Sequence, residues 1–264
     1  MSHEHILYER RGAVALVTLN RPERLNAWTR TMYQESRAAV EAANADPEVG
    51  AVIFTGAGRA YCAGADVGGW QREMDETGER RGSGVVEGDD TWIHFLSRQE
   101  KPTIAAVNGT AVGVGVTHTL PMDIRIASDQ ARFGMFFIKM GLTPEVAASY
   151  YLSQMVGTAR ALEWCLTARM VEAEEAREAG LVAEVVPHER LLQRALELGE
   201  HLAAQPPGAV KRIRRLFIAN AVDGNLDSVL AKEAHALDQS RRSPAHREAV
   251  DAFVEKRKPN FSGL

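Results

Sequence analysis

Cysteine is scarce in this sequence. Only Cys62 and Cys165 occur in 264 residues, too few for a disulfide framework or a cysteine-based metal cluster, and a reducing compartment is expected. Long apolar runs are missing too. No stretch approaches the roughly 20 consecutive apolar residues of a membrane span, and the opening MSHEHILYER has no apolar segment of signal-peptide type, so a cytoplasmic protein is expected. Nor is charge of one sign in excess. The 31 Lys and Arg face 35 Asp and Glu, a net charge of -4 that argues against a nucleic-acid partner. What is present, 45% hydrophobic and 25% charged residues, suits one large globular domain or two modest ones.

The apolar pattern predicts an α/β protein. HILYER and AVALVTL, with Gly12 between them, read as a hairpin, and GAVIFTG, TIAAV and MDIRIA read as further strands. From Thr29 to Ala45 the residues Met32, Tyr33, Ser36, Ala39, Val40 and Ala43 fall at helical spacing, closed by Asp46-Pro47. Strands separated by helices imply a layered α/β architecture. Between Gly68 and Asp90 the sequence turns polar and glycine-rich, which predicts a surface loop with one short helix. A loop of this length often covers a binding site, although a tolerated insertion would look the same. After LVAEVV no further strand is expected. Four helical patterns, separated by PPG, DGN and RRSP, make a helical C-terminal region from about residue 190.

Two glycine-marked turns stand out, TGAGRAYCAGADVGGW after the strand AVIF and NGTAVGVGVTH after the strand TIAAV. A dinucleotide-binding reading fails, because GVGVTH has His118 where G-x-G-x-x-G needs its third glycine and Asp123 follows too soon to hold a ribose. G-x-x-x-x-G-K-[ST] is absent from both, which excludes a phosphate loop. Two strand-end turns can each aim a backbone N–H at a common point and form an oxyanion hole. Tight turns with close packing are the alternative.

These stretches resemble the crotonase superfamily, the enoyl-CoA hydratases and isomerases. LNRPERLNAW, AYCAGADV, KPTIAAVNGTAVGVGV, RFGMFFIKMGLTPE, EAGLVAEVVP and AFVEKRKPNF are similar to successive family segments, in order and over nearly the full length. The resemblance implies a crotonase-like spiral of ββα units. It divides the chain into a catalytic core at residues 1–190 and a helical C-terminal trimerisation region at 191–264, in a homotrimer or a hexamer of two trimers. It implies an acyl-CoA thioester substrate, with coenzyme A arriving as part of the substrate, no permanently bound cofactor and no metal. By position, the oxyanion donors are the backbone N–H groups of Ala65 and Val114. Arg24, Leu25, Ala27 and Ala63 hold the CoA, and Lys256 approaches its phosphates, from across a subunit boundary in one arrangement. In the hydratases two glutamates share the addition of water; the corresponding positions here are Thr117 and Phe137, and water addition needs such groups.

One carboxylate remains, Glu145 in LTPEVAASY, which falls on the single catalytic glutamate of the peroxisomal-type enoyl-CoA isomerases. One carboxylate over the acyl chain suffices to remove a C2 proton and return it at C4 while the oxyanion hole holds the thioester oxygen. A helix start is the competing expectation: Thr143 as N-cap, Pro144 at the first position and Glu145 in the first turn, favoured by the helix dipole by roughly 0.3 to 1 kcal/mol. Val146 stands where a capping box would have Glu or Gln, and the small apolar neighbours would desolvate the acid and raise its pKa. His118 is expected to be a packing residue and Asp66 a structural hydrogen-bonding one, and Phe136 and Phe137 are expected in the pocket wall or core. Cys62 with His94 or His118 would be needed for nucleophilic catalysis. The functional expectation is a shift of a 3-enoyl-CoA double bond to 2-enoyl-CoA. An enoyl-CoA hydratase and a non-catalytic acyl-CoA-binding protein are the alternatives.

Overall fold

The computed structural model describes residues 3–69, 71, 75 and 91–264. The predicted loop between Gly68 and Asp90 lies outside them except at residues 68, 69, 71 and 75. Strands β1 (Ile6–Arg11) and β2 (Val14–Leu19) form the expected antiparallel hairpin, with Tyr8 opposite Val17 and Gly12 at φ 58° in the turn. Three strand pairs follow: β3 (Ala51–Gly56) with β4 (Ala60–Cys62), β5 (Thr103–Val107) with β6 (Thr110–Val112), and β7 (Ile124–Ser128) with β8 (Arg132–Gly134). Near the end come β9 (Met170–Glu172) and β10 (Glu184–Val186).

The members of each pair go to different sheets. The first strands join a six-stranded sheet in the order β1-β2-β3-β5-β7-β10, parallel from β2 onward, and the second strands join a four-stranded sheet in the order β4-β6-β8-β9. This alternation winds the chain into a spiral of repeated units. β5 is buried at every position and β3 at all but its last, as parallel strands covered on both faces must be.

Helix α1 (Arg30–Ala45) is capped by Thr29, whose side chain accepts from the Met32 N–H, and it buries the six residues at the predicted helical spacing. Then follow α2 (Trp92–Arg98), α3 (Val114–Thr117), α4 (Ala148–Val156), α5 (Thr158–Thr167) and α6 (Ala173–Glu178). The C-terminal helices are α7 (Leu191–Ala203), α8 (Pro207–Asn220), α9 (Leu226–Arg241) and α10 (Pro244–Val254). α7 covers one face of the large sheet, where Leu191 and Ala195 pack with Val14, Leu16, Ile53, Ile104, Ala106 and Ile126. α7 opens the helical C-terminal region, and α8 to α10 follow it. Arg214 of α8 ties them back: its buried guanidinium donates to Asp123 at 2.7 Å, and Asp123 accepts from the Thr103 N–H at 2.7 Å. Phe217, Leu226, Phe253 and Val254 of these helices are at least 69% exposed. No described helix is long and apolar enough to cross a membrane.

Candidate active site

The small sheet positions the site. β4, β6 and β8 run parallel, so their carboxyl ends lie side by side, and the chain leaving each one lines the same cavity of about 560 Å3. Ala63, Gly64 and Ala65 follow β4, Gly113 and Val114 follow β6, and Phe136 and Phe137 follow β8.

At the first turn Gly64 has φ 101°. Its carbonyl accepts from the Trp28 N–H at 2.7 Å, and the Asp66 N–H donates to the Trp28 carbonyl at 3.0 Å, a parallel bridge between Trp28 and Ala65. A parallel bridge of this kind uses the groups flanking Ala65, so Ala65's own N–H points the other way. At the second turn Gly113 has φ 52° and Val114 is the first residue of α3, so its N–H has no acceptor within the helix. The next residue holds the turns together. A Cβ on Gly115 would stand 2.2 Å from the Cys62 carbonyl oxygen, so α3 crosses the end of β4 at a distance only glycine permits. Asp66 has the structural part expected of it, accepting from Arg21 at 3.0 Å and from the Gly69 N–H at 3.2 Å.

Glu145 lines the cavity with Ala65 and Val114 and is half-buried. The helix-start expectation is corrected here. α4 begins at Ala148, and Thr143, Pro144 and Glu145 belong to no helix. Val146 at φ 54° and Ala147 at φ 49° are both left-handed and separate Glu145 from the helix. Such conformations cost of order 1–3 kcal/mol each, and a β-branched residue rarely adopts one. They are compensated by burial of Val146 and Ala148 in the main core. Glu145 is thus no first-turn residue.

The positions that carry glutamate in hydratases are filled otherwise. Thr117 is fully buried and is not part of the cavity lining, and Phe137 is 6% exposed and forms the cavity wall. Among the described residues Glu145 is the one acidic side chain in that lining. Nucleophilic catalysis finds no support. Cys62 is buried and its thiol is pushed up to about 12 by burial, while His94 lies exposed on α2. His118 caps α3 inside a cage of aromatic rings and is pushed down to about 3 by burial, a packing residue as expected. No group of His, Cys, Asp and Glu suited to a metal ion occurs among the described residues.

Ala63 also lines a second cavity, of about 370 Å3, with Leu25, Arg59, Thr110, Gln130 and Arg132. Leu25 and Asn26 are left-handed at φ 51° and 56°, and the Leu25 carbonyl accepts from the Ala63 N–H at 3.0 Å. Arg24 is exposed beside Leu25, and the Ala27 carbonyl accepts from Arg21 at 2.7 Å. Lys256 lies exposed beyond α10 and lines neither cavity. Arg59 and Arg132 are 73 residues apart in the sequence, and no sequence pattern links them. The pairing of β6 with β4 and β8 is what joins them, and no local signal announces it.

Residues 9–263 match the family model for enoyl-CoA hydratase/isomerase. The chain belongs to this family. It is 37% identical over 262 residues to the 1,2-epoxyphenylacetyl-CoA isomerase of Escherichia coli K12, covering 98% of this chain and 99% of that protein. It is 37% identical over 259 residues to the short-chain-enoyl-CoA hydratase of Clostridium acetobutylicum, covering 98% and 97%. The crystal structure of the enoyl-CoA hydratase from Mycobacterium tuberculosis H37Rv superposes with a TM-score of 0.87 at 29% identity, covering 98% of this chain and 99% of that one. The expected spiral fold is thereby established, and the chain is an enzyme of the enoyl-CoA hydratase/isomerase family.

Proposed function

We propose that this enzyme shifts the double bond of a 3-enoyl-CoA to the 2-position, with Glu145 as proton carrier. The observation that carries this reading is Glu145 in one cavity with Ala65 and Val114, the single acidic side chain among the described lining residues. In the proposed reaction the Glu145 carboxylate takes a proton from C2. The charge moves to the thioester oxygen, where the N–H groups of Ala65 and Val114 hold it, and the carboxylic acid then protonates C4. Preorganised donors of this kind act where charge develops and need no reorganisation.

Coenzyme A enters with the substrate, and no permanently bound cofactor takes part. Its anionic part lies toward the second cavity, past Arg24, Leu25, Ala27 and Ala63, with Arg59 and Arg132 supplying positive charge. Lys256 approaches the CoA phosphates, in one arrangement from another copy of the chain. The exposed Phe217, Leu226, Phe253 and Val254 support a homotrimer or a hexamer in which residues 191–264 carry the contacts.

A hydratase reading is favoured by the likeness to the short-chain-enoyl-CoA hydratase of Clostridium acetobutylicum. The aromatic Phe137 and the buried Thr117 weigh against it, since water addition needs groups to deprotonate water and protonate carbon. Product analysis after incubation with 3-enoyl-CoA and, separately, 2-enoyl-CoA tests the two. The proposal expects 2-enoyl-CoA from the first and little hydration of the second. Fast hydration of the second with the first untouched would contradict it.

A further inference from the structure

Among the described residues that line the cavity of the site, Glu145 and Lys139 are the charged ones. Glu145 has its part in the proposed proton transfer, and Lys139 has none. Lys139 follows Phe136 by three positions on the short 3-10 helix Phe136–Met140, where residues so spaced stand one above the other. Its ammonium accordingly lies 3.6 Å from the centre of the Phe136 ring. The ring is itself seated on the end of β8: a Cβ on Gly134 would stand 2.8 Å from Phe136 Cε1 and 3.0 Å from the Met170 sulfur, so glycine there makes room for it. A ring face attracts the ammonium but leaves N–H donors of the group free for another partner. Among the described residues no carboxylate forms an ion pair with Lys139. Val67, Met140 and Leu142, all exposed, line the same cavity and offer apolar surface to methylene groups.

We infer that Lys139 is a specificity-determining residue that selects an acyl chain ending in a carboxylate, so that the preferred substrate is the CoA monothioester of an unsaturated dicarboxylic acid. This inference rests on the isomerase reading and adds to it the class of acyl group. In that reading the phosphates of CoA go to Arg59 and Arg132 in the second cavity, which leaves Lys139 for the acyl part. Like charges repel, so Glu145 keeps the substrate's own carboxylate at the end of the chain remote from the reacting carbons, and the ammonium receives it there. Lys139 is exposed, so the pair is screened by solvent and salt and gives a preference rather than an absolute requirement.

The test is the ratio of kcat/KM values for isomerisation of two esters of equal chain length, 3-octenedioyl-CoA with its free terminal carboxylate and 3-octenoyl-CoA without one. It is measured for the wild type, Lys139→Met and Lys139→Arg at low and high salt. The wild type is expected to favour the carboxylated ester by about three- to tenfold at low salt and by less at high salt. Lys139→Arg should keep the preference and Lys139→Met should lose it. Because both esters meet the same protein, general damage to a variant cancels in the ratio. An equal fall on both esters in Lys139→Met would assign the ammonium to the CoA phosphates and overturn the proposal. A wild type without preference, or a preference that survives in Lys139→Met, would overturn it too, and all three results leave the isomerase reading standing. A wild type that converts neither ester would overturn both.

Discussion

Acidification should destabilise this protein through one side chain in particular. His118 is fully buried, stacked on Tyr61 with ring centroids 5.5 Å apart and 4.6 Å from Trp28, with Phe54 and Trp92 each at 6.4 Å. Neither ring nitrogen has a hydrogen-bond partner. Burial alone pushes its pKa from 6.5 down to about 3. The folded pKa lies below the unfolded one, so the unfolded chain binds the extra proton between these values. Stability from this source is complete above pH 6.5 and is lost as the pH falls toward 3. The slope is about 1.4 kcal/mol per pH unit, which gives a loss of about 2 kcal/mol between pH 7.5 and 5.

Urea unfolding of the wild type and His118→Leu, at equal protein concentration across that range, isolates the effect, because the other titrating groups are common to both. The stability difference should shift by about 2 kcal/mol in favour of the variant on going from pH 7.5 to 5. At pH 7.5 the variant should be near the wild type, since no hydrogen bond is lost with the ring. A difference that does not change with pH would refute the reasoning.

Three further outcomes follow from the site. Val114→Pro removes the N–H of the second turn at the helix position where proline is best tolerated, so kcat should fall roughly 100- to 1,000-fold with the far-ultraviolet circular dichroism unchanged. Gly115→Ala places a Cβ against the Cys62 carbonyl and should cost about 1–3 kcal/mol or more in thermal unfolding, with loss of activity as the turns are forced apart. Ala147→Gly relieves an exposed left-handed residue at φ 49° and should raise Tm by the equivalent of up to about 1 kcal/mol.

Much of the fold was legible because its signals are local. The hairpin around Gly12 and the buried stripe of α1 follow from alternation and helical spacing alone, and both turns of the site announce themselves as glycines directly after apolar strands. Composition alone misplaces the start of α4, for an equally local reason. Thr143-Pro144-Glu145 has the composition of a helix N-terminus, but burial of Val146 and Ala148 draws the chain inward through two left-handed residues, and tertiary packing outweighs the propensity. Helical spacing likewise does not say which surface receives α7, whose Leu191 and Ala195 pack on the large sheet. The meeting of Ala65, Val114 and Glu145 depends on strand order in the small sheet, which periodicity does not encode. Only the resemblance of the segments to a known family joined these residues in advance.

The most direct test of the central claim is the rate of 3-enoyl-CoA isomerisation by Glu145→Gln beside the wild type. Glutamine keeps the shape of the side chain and the lining of the cavity but accepts no proton. The proton-carrier assignment predicts that kcat falls at least about a hundredfold while acyl-CoA still binds. A variant that isomerises as fast as the wild type would contradict it and leave Glu145 as part of the cavity wall.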